Sequence, residues 1–322
     1  MRRIGFIAFQ DFHSLSLSTL SVFEGANRHA RASIYELHVL SESGGPIRTS
    51  GGLSLETEPF DDTRFDTLMV LGTILERPTF SPTLIRFVSE APQRARRVAS
   101  ICTGALVLAE AGLLDDHRAT THWAYAKYFR ERFPRVRLEE DRIFVIDGSI
   151  WTSAGCMACV DLTLAMVEVD AGRELAQAVA KDLVIYHRRG GRQRQHSALL
   201  ELETRSDRIQ NVLEYARRNL RTPLTTEQLA EAAHLSPRQF RRAFQQATGQ
   251  SPARAVENLR IETARSMVED GRHPIDVIAR EAGFGSRERM RRVFVRRFGQ
   301  PPQELRREAR SEIRPAEGIG RS

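Results

Sequence analysis

Apolar and polar positions follow one pattern over the first 190 residues or so and a different one after that. The early part alternates short apolar runs, such as RIGFIAF, YELHVLS and FDTLMVLGT, with amphipathic stretches that favour helices, the first of them over 15–30. Short buried strands alternating with helices are typical of a parallel sheet covered on both faces. The pattern therefore predicts an α/β domain, which we place at residues 1–188.

Turn-forming residues add detail to this domain. The stretch GGPIRTSGGLSLETE predicts a hairpin or loop, and Asp147-Gly148 predicts the turn of a second hairpin in RIFVIDGSIWTS. Ser81 followed by Pro82 predicts an N-cap and the first position of a helix that runs to about residue 92. Two closing helices are expected at about 159–171 and 173–186.

The pattern becomes helical throughout after residue 206. The polar stretch HRRGGRQRQHSALLELETRS, with paired Gly and paired Arg, predicts a linker over 189–206. Residues 207–310 show no strand-like alternation and predict an all-α domain. The last segment, 311–322, is rich in Gly and charge and predicts a disordered tail.

This helical domain contains an internal repeat. SPRQFRRAFQQATGQSP, from Ser236, and SRERMRRVFVRRFGQPP, from Ser286, match at a period of 50 residues. A fixed period indicates a duplicated supersecondary unit. Each copy has a shorter helix before it, and Gly283 and its counterpart His234 are suited to a positive φ in the connecting turn. The two serines are suited to N-caps, so each copy predicts a helix-turn-helix.

The second helix of each copy has an exposed basic face. Once the apolar positions are turned inward, the outward residues are Arg238, Arg241, Arg242 and Gln245 in the first copy and Arg287, Glu288, Arg291 and Arg292 in the second. Arg contacts guanine edges or phosphates. One such face alone favours a solvated surface, but two at a fixed spacing favour DNA. The amphipathic stretch SPARAVENLRIETARSMVEDG between them predicts a strut of roughly 27 Å, suited to major grooves about 34 Å apart.

Charge divides the chain at the same place. Residues 1–206 carry 25 Lys+Arg and 26 Asp+Glu, whereas 207–310 carry 21 Arg and 13 acids. A neutral body with a basic module favours a polyanionic partner. Because Lys127 and Lys181 are the only lysines, arginine is a compositional habit here, and the asymmetry carries more weight than any single Arg.

Composition argues against several other classes of protein. No apolar run approaches the roughly 18 residues of a membrane span, and the first residues do not resemble a signal sequence, so we expect a cytoplasmic protein with no membrane partner. Three cysteines argue against a disulfide framework. The CxxC of Cys156 and Cys159 lacks a second pair at zinc spacing, and we expect neither a metal nor another cofactor.

Residues 207–308 resemble the tandem helix-turn-helix domain of the AraC/XylS family of transcription regulators. The motifs are LAEAAHLSPRQFRRAFQQATGQSP, RIETARSMVEDG and IAREAGFGSRERMRRVFVRRFGQPP. The resemblance implies double-stranded DNA as a partner and allows contact with RNA polymerase. Its base-reading positions fall on Arg238, Arg241 and Arg242 and on the second-copy residues named above. Leu305 departs from the family's usual Tyr, a change expected to alter packing only.

Candidate chemistry in the first domain centres on Cys102. This residue follows an apolar strand and precedes Thr103-Gly104 and a helix, which is the geometry of a nucleophile elbow. His122 lies twenty residues on and is a candidate base. Parallel sheets bind ligands beyond the carboxyl ends of their strands, so we expect Gly72, Thr73, Cys102, Thr103 and His122 around one pocket.

The first domain resembles the PfpI-like branch of the class I glutamine amidotransferase-like superfamily. With the second domain attached, the whole chain resembles the GlxA-type regulators of the AraC family, which implies a flavodoxin-like fold and a homodimer formed through the first domain. WTSAGCMACVDLTLAMVE and RRGGRQ also match that group. The related enzymes place an acid at the pocket, but here Leu15 stands at its position, and Ser18-Thr19 replace the usual Gly-Pro.

Three functions are compatible with these features. The missing acid favours a transcription regulator whose first domain binds an unknown small-molecule effector without catalysis. A thiol-based redox regulator acting through Cys102 is the second, and it requires a resolving cysteine such as Cys156 to approach. The third is a PfpI-like hydrolase or amidase fused to a DNA-binding module.

Overall fold

An eight-stranded sheet forms the centre of the first domain in this computed structural model, which describes residues 1–185, 188–191, 193–195 and 206–313. Its strands are β1 Arg2–Ile7, β2 Tyr35–Ser41, β3 Ser43–Arg48, β4 Ser54–Pro59, β5 Phe65–Val70, β6 Ala95–Ser100, β9 Phe144–Asp147 and β10 Ile150–Ser153, and the short strands β7 Arg118–Ala119 and β8 Arg137–Leu138 form a separate pair. The sheet order is β3-β4-β2-β1-β5-β6-β10-β9. Neighbours are parallel except in the edge hairpins β3–β4 and β9–β10, so the predicted sheet and both hairpins are confirmed.

Helices cover both faces of this sheet. They are α1 Ser18–Ala30, α2 Pro82–Ser89, α3 Ala91–Arg94, α4 Gly104–Glu110, α5 Ala126–Arg132, α6 Cys156–Ala171 and α7 Arg173–Asp182. One core cluster packs α1, α6 and α7 around residues such as Phe23, and the other packs α2, α4 and α5 around residues such as Phe129. Ser81 accepts a hydrogen bond from the Leu84 N–H and is followed by Pro82, which confirms the predicted helix start.

A buried ion pair joins the sheet to α6 at the amino ends of the strands. The Arg97 guanidinium donates to both carboxylate oxygens of Asp170, at 2.7 and 2.9 Å, and each side chain is 2% exposed. The guanidinium also lies 4.6 Å from the ring centre of Trp151. Tyr35 donates a further hydrogen bond to Asp170. This network lies at the opposite end of the sheet from Cys102.

The boundary of the first domain lies later than the sequence predicts. Gln193 accepts from the Ile143 N–H at 3.1 Å, and Gln195 donates its own N–H to the Asp141 carbonyl at 3.2 Å. The described residues up to Gln195 of the predicted 189–206 linker therefore belong to the first compact unit, whereas Ser206 belongs to the second. Positions 186, 187, 192 and 196–205 lie outside the described residues.

The second unit, from Ser206 onward, is entirely helical where the structure describes it. Its helices are α8 Asp207–Arg218, α9 Thr226–Ala232, α10 Pro237–Thr248, α11 Pro252–Asp270, α12 Ile275–Glu281, α13 Arg287–Phe298 and α14 Pro302–Ile313. Helix α14 takes in 311–313, so the predicted disorder of the 311–322 tail is wrong for those three residues. Residues 314–322 lie outside the described part. No helix in the described residues is long and apolar enough to cross a membrane.

Helix α11, the predicted strut, has 19 residues and contributes side chains to two separate hydrophobic cores. Its first half contributes Val256 and Leu259 to a cluster with α8, α9 and α10. Its second half contributes Ala264 and Val268 to a cluster with α12 and α13. Each helix-turn-helix thus has its own hydrophobic core, and the strut alone is common to both.

The two turns have the backbone conformation that the repeat predicts. His234 and Gly283 adopt φ values of 53° and 77°. A Cβ on Gly283 would collide with the Leu220 carbonyl oxygen, so glycine is required there for space as well as for φ. Ser236 and Ser286 each cap the following helix by accepting a backbone N–H, and Ser236 forms a capping box with Gln239.

Candidate ligand pocket and nucleic-acid interface

Cys102 occupies a tight turn between β6 and α4. Its φ of 55° lies in the left-handed region that few residues other than glycine adopt. Its N–H donates to the Ser153 carbonyl at 3.1 Å, and its carbonyl accepts from the Thr121 hydroxyl at 3.1 Å. These bonds to neighbouring segments hold the elbow in place and leave the Cys102 side chain 7% exposed.

Three further predicted pocket residues pack around this elbow. A Cβ on Gly72 would lie 3.0 Å from the Cys102 Cβ and 2.8 Å from the Ile101 carbonyl oxygen, so glycine lets the two strand ends approach. The Thr103 hydroxyl donates to the Thr73 carbonyl at 2.6 Å and accepts from the Thr73 N–H at 2.7 Å. Gly72, Thr73 and Thr103 therefore hold the ends of β5 and β6 together beside Cys102.

A cavity of about 570 Å³ opens above Cys102. Of the five predicted pocket residues, Thr73, Cys102 and His122 line it, beyond the carboxyl ends of β5 and β6, whereas Gly72 and Thr103 lie beside the elbow and are not lining residues. The other lining residues are His13, Leu15, Ile74, Trp123, Ala124, Tyr125, Ile143, Ala154, Gly155, Met157, Ala158, Arg189 and Gln195. Most of these side chains are apolar, which suits a ligand with an apolar body.

Two polar groups of the cavity wall have defined states. His122 Nδ1 accepts the Ala124 N–H at 3.2 Å, so the neutral ring carries its proton on Nε2. Burial raises the pKa of Tyr125, and negative charge on Cys102 and Glu76 raises it further. The raised pKa of Tyr125 keeps its hydroxyl protonated at neutral pH, which favours a ligand with a hydrogen-bond acceptor.

Two lining residues come from the segment that the sequence assigns to the linker. Arg189 donates its backbone N–H and its Nε to the buried Asp161 carboxylate, both at 2.9 Å. Burial raises the pKa of Asp161, and the Arg189 charge opposes this. The Gln195 amide donates to the Thr121 and Glu140 carbonyls and accepts the Trp123 N–H. The motif RRGGRQ, which resembles the GlxA-type group, could have located Arg189, but it ends at Gln193 and gives no signal for Gln195.

The position of the missing acid lies at this cavity. Leu15 lines the opening and is 43% exposed, in the short 3-10 turn Ser14–Leu17 before α1. Among the described residues that line the cavity, none is Asp or Glu. Leu15 thus places an apolar side chain at the cavity where the related enzymes are expected to have an acid.

The structure adds little to the redox alternative. Cys159 is buried, and its sulfur lies 3.6 Å from the Ser18 hydroxyl. Cys156 begins α6, and its side chain lies outside the described residues. Among the described residues there is no group of three or more His, Cys, Asp or Glu side chains arranged to hold a metal.

The predicted DNA face is exposed in both copies. Phe240 and Phe244 on α10, and Met290 and Phe294 on α13, are buried. The opposite faces expose all eight predicted residues, Arg238, Arg241, Arg242, Gln245, Arg287, Glu288, Arg291 and Arg292. On α10 the arginines line a groove that continues to Ser251 at the start of the strut. Two arginine-rich helices are thus presented from cores that share one strut.

Ion pairs divide these arginines into two groups. Glu288 accepts from Arg291 at 3.1 Å, and Arg241 lies 3.9 Å from Glu227. Within the described residues no carboxylate pairs with Arg238, Arg242 or Arg292. These three guanidinium groups are the most readily available for bases or phosphates.

Comparison with known proteins gives two family matches. The DJ-1/PfpI family matches residues 2–169, and a helix-turn-helix domain matches residues 229–308. The HTH-type transcriptional regulator GbdR of Pseudomonas aeruginosa is 30% identical over 308 residues, which cover 94% of this chain and 83% of that protein. Isonitrile hydratase of Pseudomonas putida is 34% identical over 153 residues, 46% of this chain and 65% of the enzyme. The crystal structure of an AraC family transcriptional regulator from Pseudomonas putida, at 26% identity and a TM-score of 0.52, covers 57% of this chain and 100% of its own.

Proposed function

The chain belongs to the family of HTH-type transcriptional regulators that carry an amino-terminal DJ-1/PfpI domain, and we propose that it binds duplex DNA through α10 and α13 under the control of a small molecule. Both family resemblances expected from the sequence are confirmed. Isonitrile hydratase resembles the first domain alone, whereas GbdR matches nearly the whole chain.

The observation that supports DNA binding most directly is the pair of exposed arginine faces on one strut. Helix α11 has 19 residues, and at about 1.5 Å per residue it is roughly 28 Å long. Successive turns of a major groove lie about 34 Å apart. The strut is therefore of the right length to place α10 and α13 in neighbouring turns of one groove.

Arg242 and Arg292 provide the first test, because they occupy equivalent positions of the two helices and no described carboxylate pairs with either. Replacing either by Ala is expected to weaken operator binding by about 1–3 kcal/mol if it reads a base. Each variant should also relax base preference in only one of two sites about one helical turn apart. Footprinting and titration against specific and random duplexes measure both effects.

Arg217→Ala on exposed α8 is the control, because it removes an equal charge away from the recognition faces. It should leave sequence preference unchanged. An equal loss on specific and random DNA for Arg242→Ala and Arg292→Ala would reduce both residues to phosphate contacts.

We propose that the DJ-1/PfpI domain binds its effector in the cavity above Cys102 without converting it. The exposed Leu15 and the lack of Asp or Glu among the described lining residues support this, because the related enzymes are expected to have an acid at that position of the pocket. The strained elbow at Cys102 favours the alternative, an enzyme attached to a DNA-binding module.

Cys102→Ser separates these two functions. Ser fits the same elbow, so the fold and basal DNA binding should be kept, while the affinity for the effector changes. An enzyme should instead lose turnover, because a neutral hydroxyl lacks the nucleophilicity of a thiolate. A thermal-shift screen of small metabolites identifies the effector, and calorimetry and product analysis then compare the variant with wild type.

Cys159→Ser is the matched control, since Cys159 is buried and does not line the cavity. It should leave the effector response as in wild type. Turnover in wild type that disappears in Cys102→Ser alone would replace the binding function by catalysis and leave the DNA-binding function intact.

We further propose that the regulator acts in the cytoplasm as a homodimer formed through its first domain, with RNA polymerase as a partner. Its DNA target supports the location, and the resemblance of the chain to the GlxA-type regulators supports the homodimer. Sedimentation equilibrium of the full chain checks this, and a monomer at micromolar concentration would contradict it.

A further inference from the structure

The residues that point most directly away from the core differ between the two recognition helices. On each helix they are spaced i, i+4, i+7, which places them on one line along the exposed face. We name each line the outer stripe. It consists of Arg238, Arg242 and Gln245 on α10 and of Glu288, Arg292 and Val295 on α13, and all six are exposed. The 50-residue period pairs them one to one, so two of three positions have changed in chemistry.

Val295 is an unusual residue for a solvent-exposed basic helix. It is 40% exposed, and within the described second unit only Tyr215 is also a large exposed hydrophobic side chain. It lies one turn beyond Arg291 and Arg292, on the face opposite the buried Met290 and Phe294. An apolar side chain in a major groove contacts the thymine C5-methyl group.

Glu288 reverses the charge of its counterpart Arg238. The Arg291 Nε donates to its carboxylate at 3.1 Å, which lowers the pKa of Glu288, so the group stays ionised and accepts hydrogen bonds only. Because DNA phosphates repel a carboxylate, Glu288 needs a donor on a base edge to offset that repulsion. The cytosine N4 amino group is such a donor.

We propose that Glu288 and Val295 set the base preference of the second half-site and so distinguish it from the first. The first outer stripe reads guanine edges through its two arginines and an adenine through Gln245. The second reads a cytosine amino group through Glu288, a guanine through Arg292 and a thymine methyl group through Val295. Seven helical residues span about 10.5 Å, so the cytosine and thymine lie about three base pairs apart. This inference rests on the proposed DNA-binding function.

An exchange of stripes tests the proposal. The double variant Glu288→Arg/Val295→Gln gives α13 the same outer stripe as α10. In selection from a random duplex library, wild type should yield two unlike half-sites one helical turn apart, and the double variant should yield two like ones. Arg289→Gln, on the same helix but off the stripe, is the control and should select the wild-type motif.

A second experiment tests the proposed contact between Val295 and a thymine methyl group. Replacing each thymine of the selected second half-site by deoxyuridine removes one methyl group at a time. Wild type should lose about fourfold in affinity at one position, the value of one buried methylene-sized group, and Val295→Ala should lose nothing further there. Circular dichroism of each variant confirms that it is folded.

The possible outcomes distinguish a failure of the proposed DNA-binding function from a failure of the half-site inference. If wild type selects no motif, the proposed DNA-binding function fails. If it selects a motif with two like halves, or if the exchange leaves the second half-site unchanged, the half-site inference is overturned. The proposed DNA-binding function is still supported in that case. A deoxyuridine effect that persists in Val295→Ala removes Val295 from the readout.

Discussion

Leu259→Pro is expected to abolish simultaneous binding to both half-sites and to destabilise the second unit by about 3 kcal/mol or more. The residue lies in the interior of α11, where proline removes a backbone hydrogen bond and its ring clashes with the preceding turn. Leu259 is 4% exposed in the first helix-turn-helix core, and Ala264 in the second core follows five residues later. A kink between the cores changes the spacing of α10 and α13, so both half-sites are no longer met together.

Leu259→Ala is the matched control because it deletes the same buried side chain and keeps the helix. It should cost about 2–5 kcal/mol, a range that overlaps the proline variant, so stability alone does not separate them. Footprinting at saturating protein does. The alanine variant should protect both half-sites, and the proline variant only one. Protection of both half-sites by the proline variant would show that the strut does not set the spacing.

Much of the second unit is predictable from the sequence because the sequence contains two copies of the same helix-turn-helix unit. The 50-residue period identifies the caps at Ser236 and Ser286, and the preceding helices, aligned at a spacing of 49 residues, identify the turns at His234 and Gly283 without any tertiary information. Val295 is the exception. It is apolar, so hydrophobic periodicity gives no reason to place it outside, but its repeat partner Gln245 is a predicted DNA contact and would have located it.

The first domain contains an ordered segment that the sequence pattern does not predict. Buried strands and the Cys102 elbow follow from apolar runs and turn residues, and those predictions place the pocket. The segment with Arg189 and Gln195 was assigned to a linker because its polar, glycine-rich composition predicts no local structure. What orders it is the contact of its side chains with Asp161 and with the carbonyls beside Trp123, and such long-range contacts leave no local pattern.

The sequence does not predict the buried Arg97–Asp170 pair either, since charged residues are expected at the surface. Both side chains are 2% exposed, so the pair is dehydrated, and its energy depends on both members being present. Removing Asp170 leaves the buried Arg97 guanidinium with Asp66, at 3.7 Å, as its remaining carboxylate, so most of its compensation is lost. Since Arg97 also stacks on Trp151, such a change reaches the packing of the sheet against α6.

Asp170→Asn is therefore expected to lower the free energy of unfolding of the first unit by about 3–5 kcal/mol. Both tryptophans of the chain, Trp123 and Trp151, lie in that unit, so urea unfolding of the full chain followed by tryptophan fluorescence reports on it specifically. Asp182→Asn is the control, because Asp182 pairs with Arg28 at the surface and its loss should cost less than about 1 kcal/mol. Replacing both members, as Arg97→Met/Asp170→Leu, removes the buried charges together and should recover most of the loss. If the two single Asn variants unfold at the same urea concentration, the buried pair contributes no more than an exposed one, and the sheet is anchored to α6 by its apolar contacts alone.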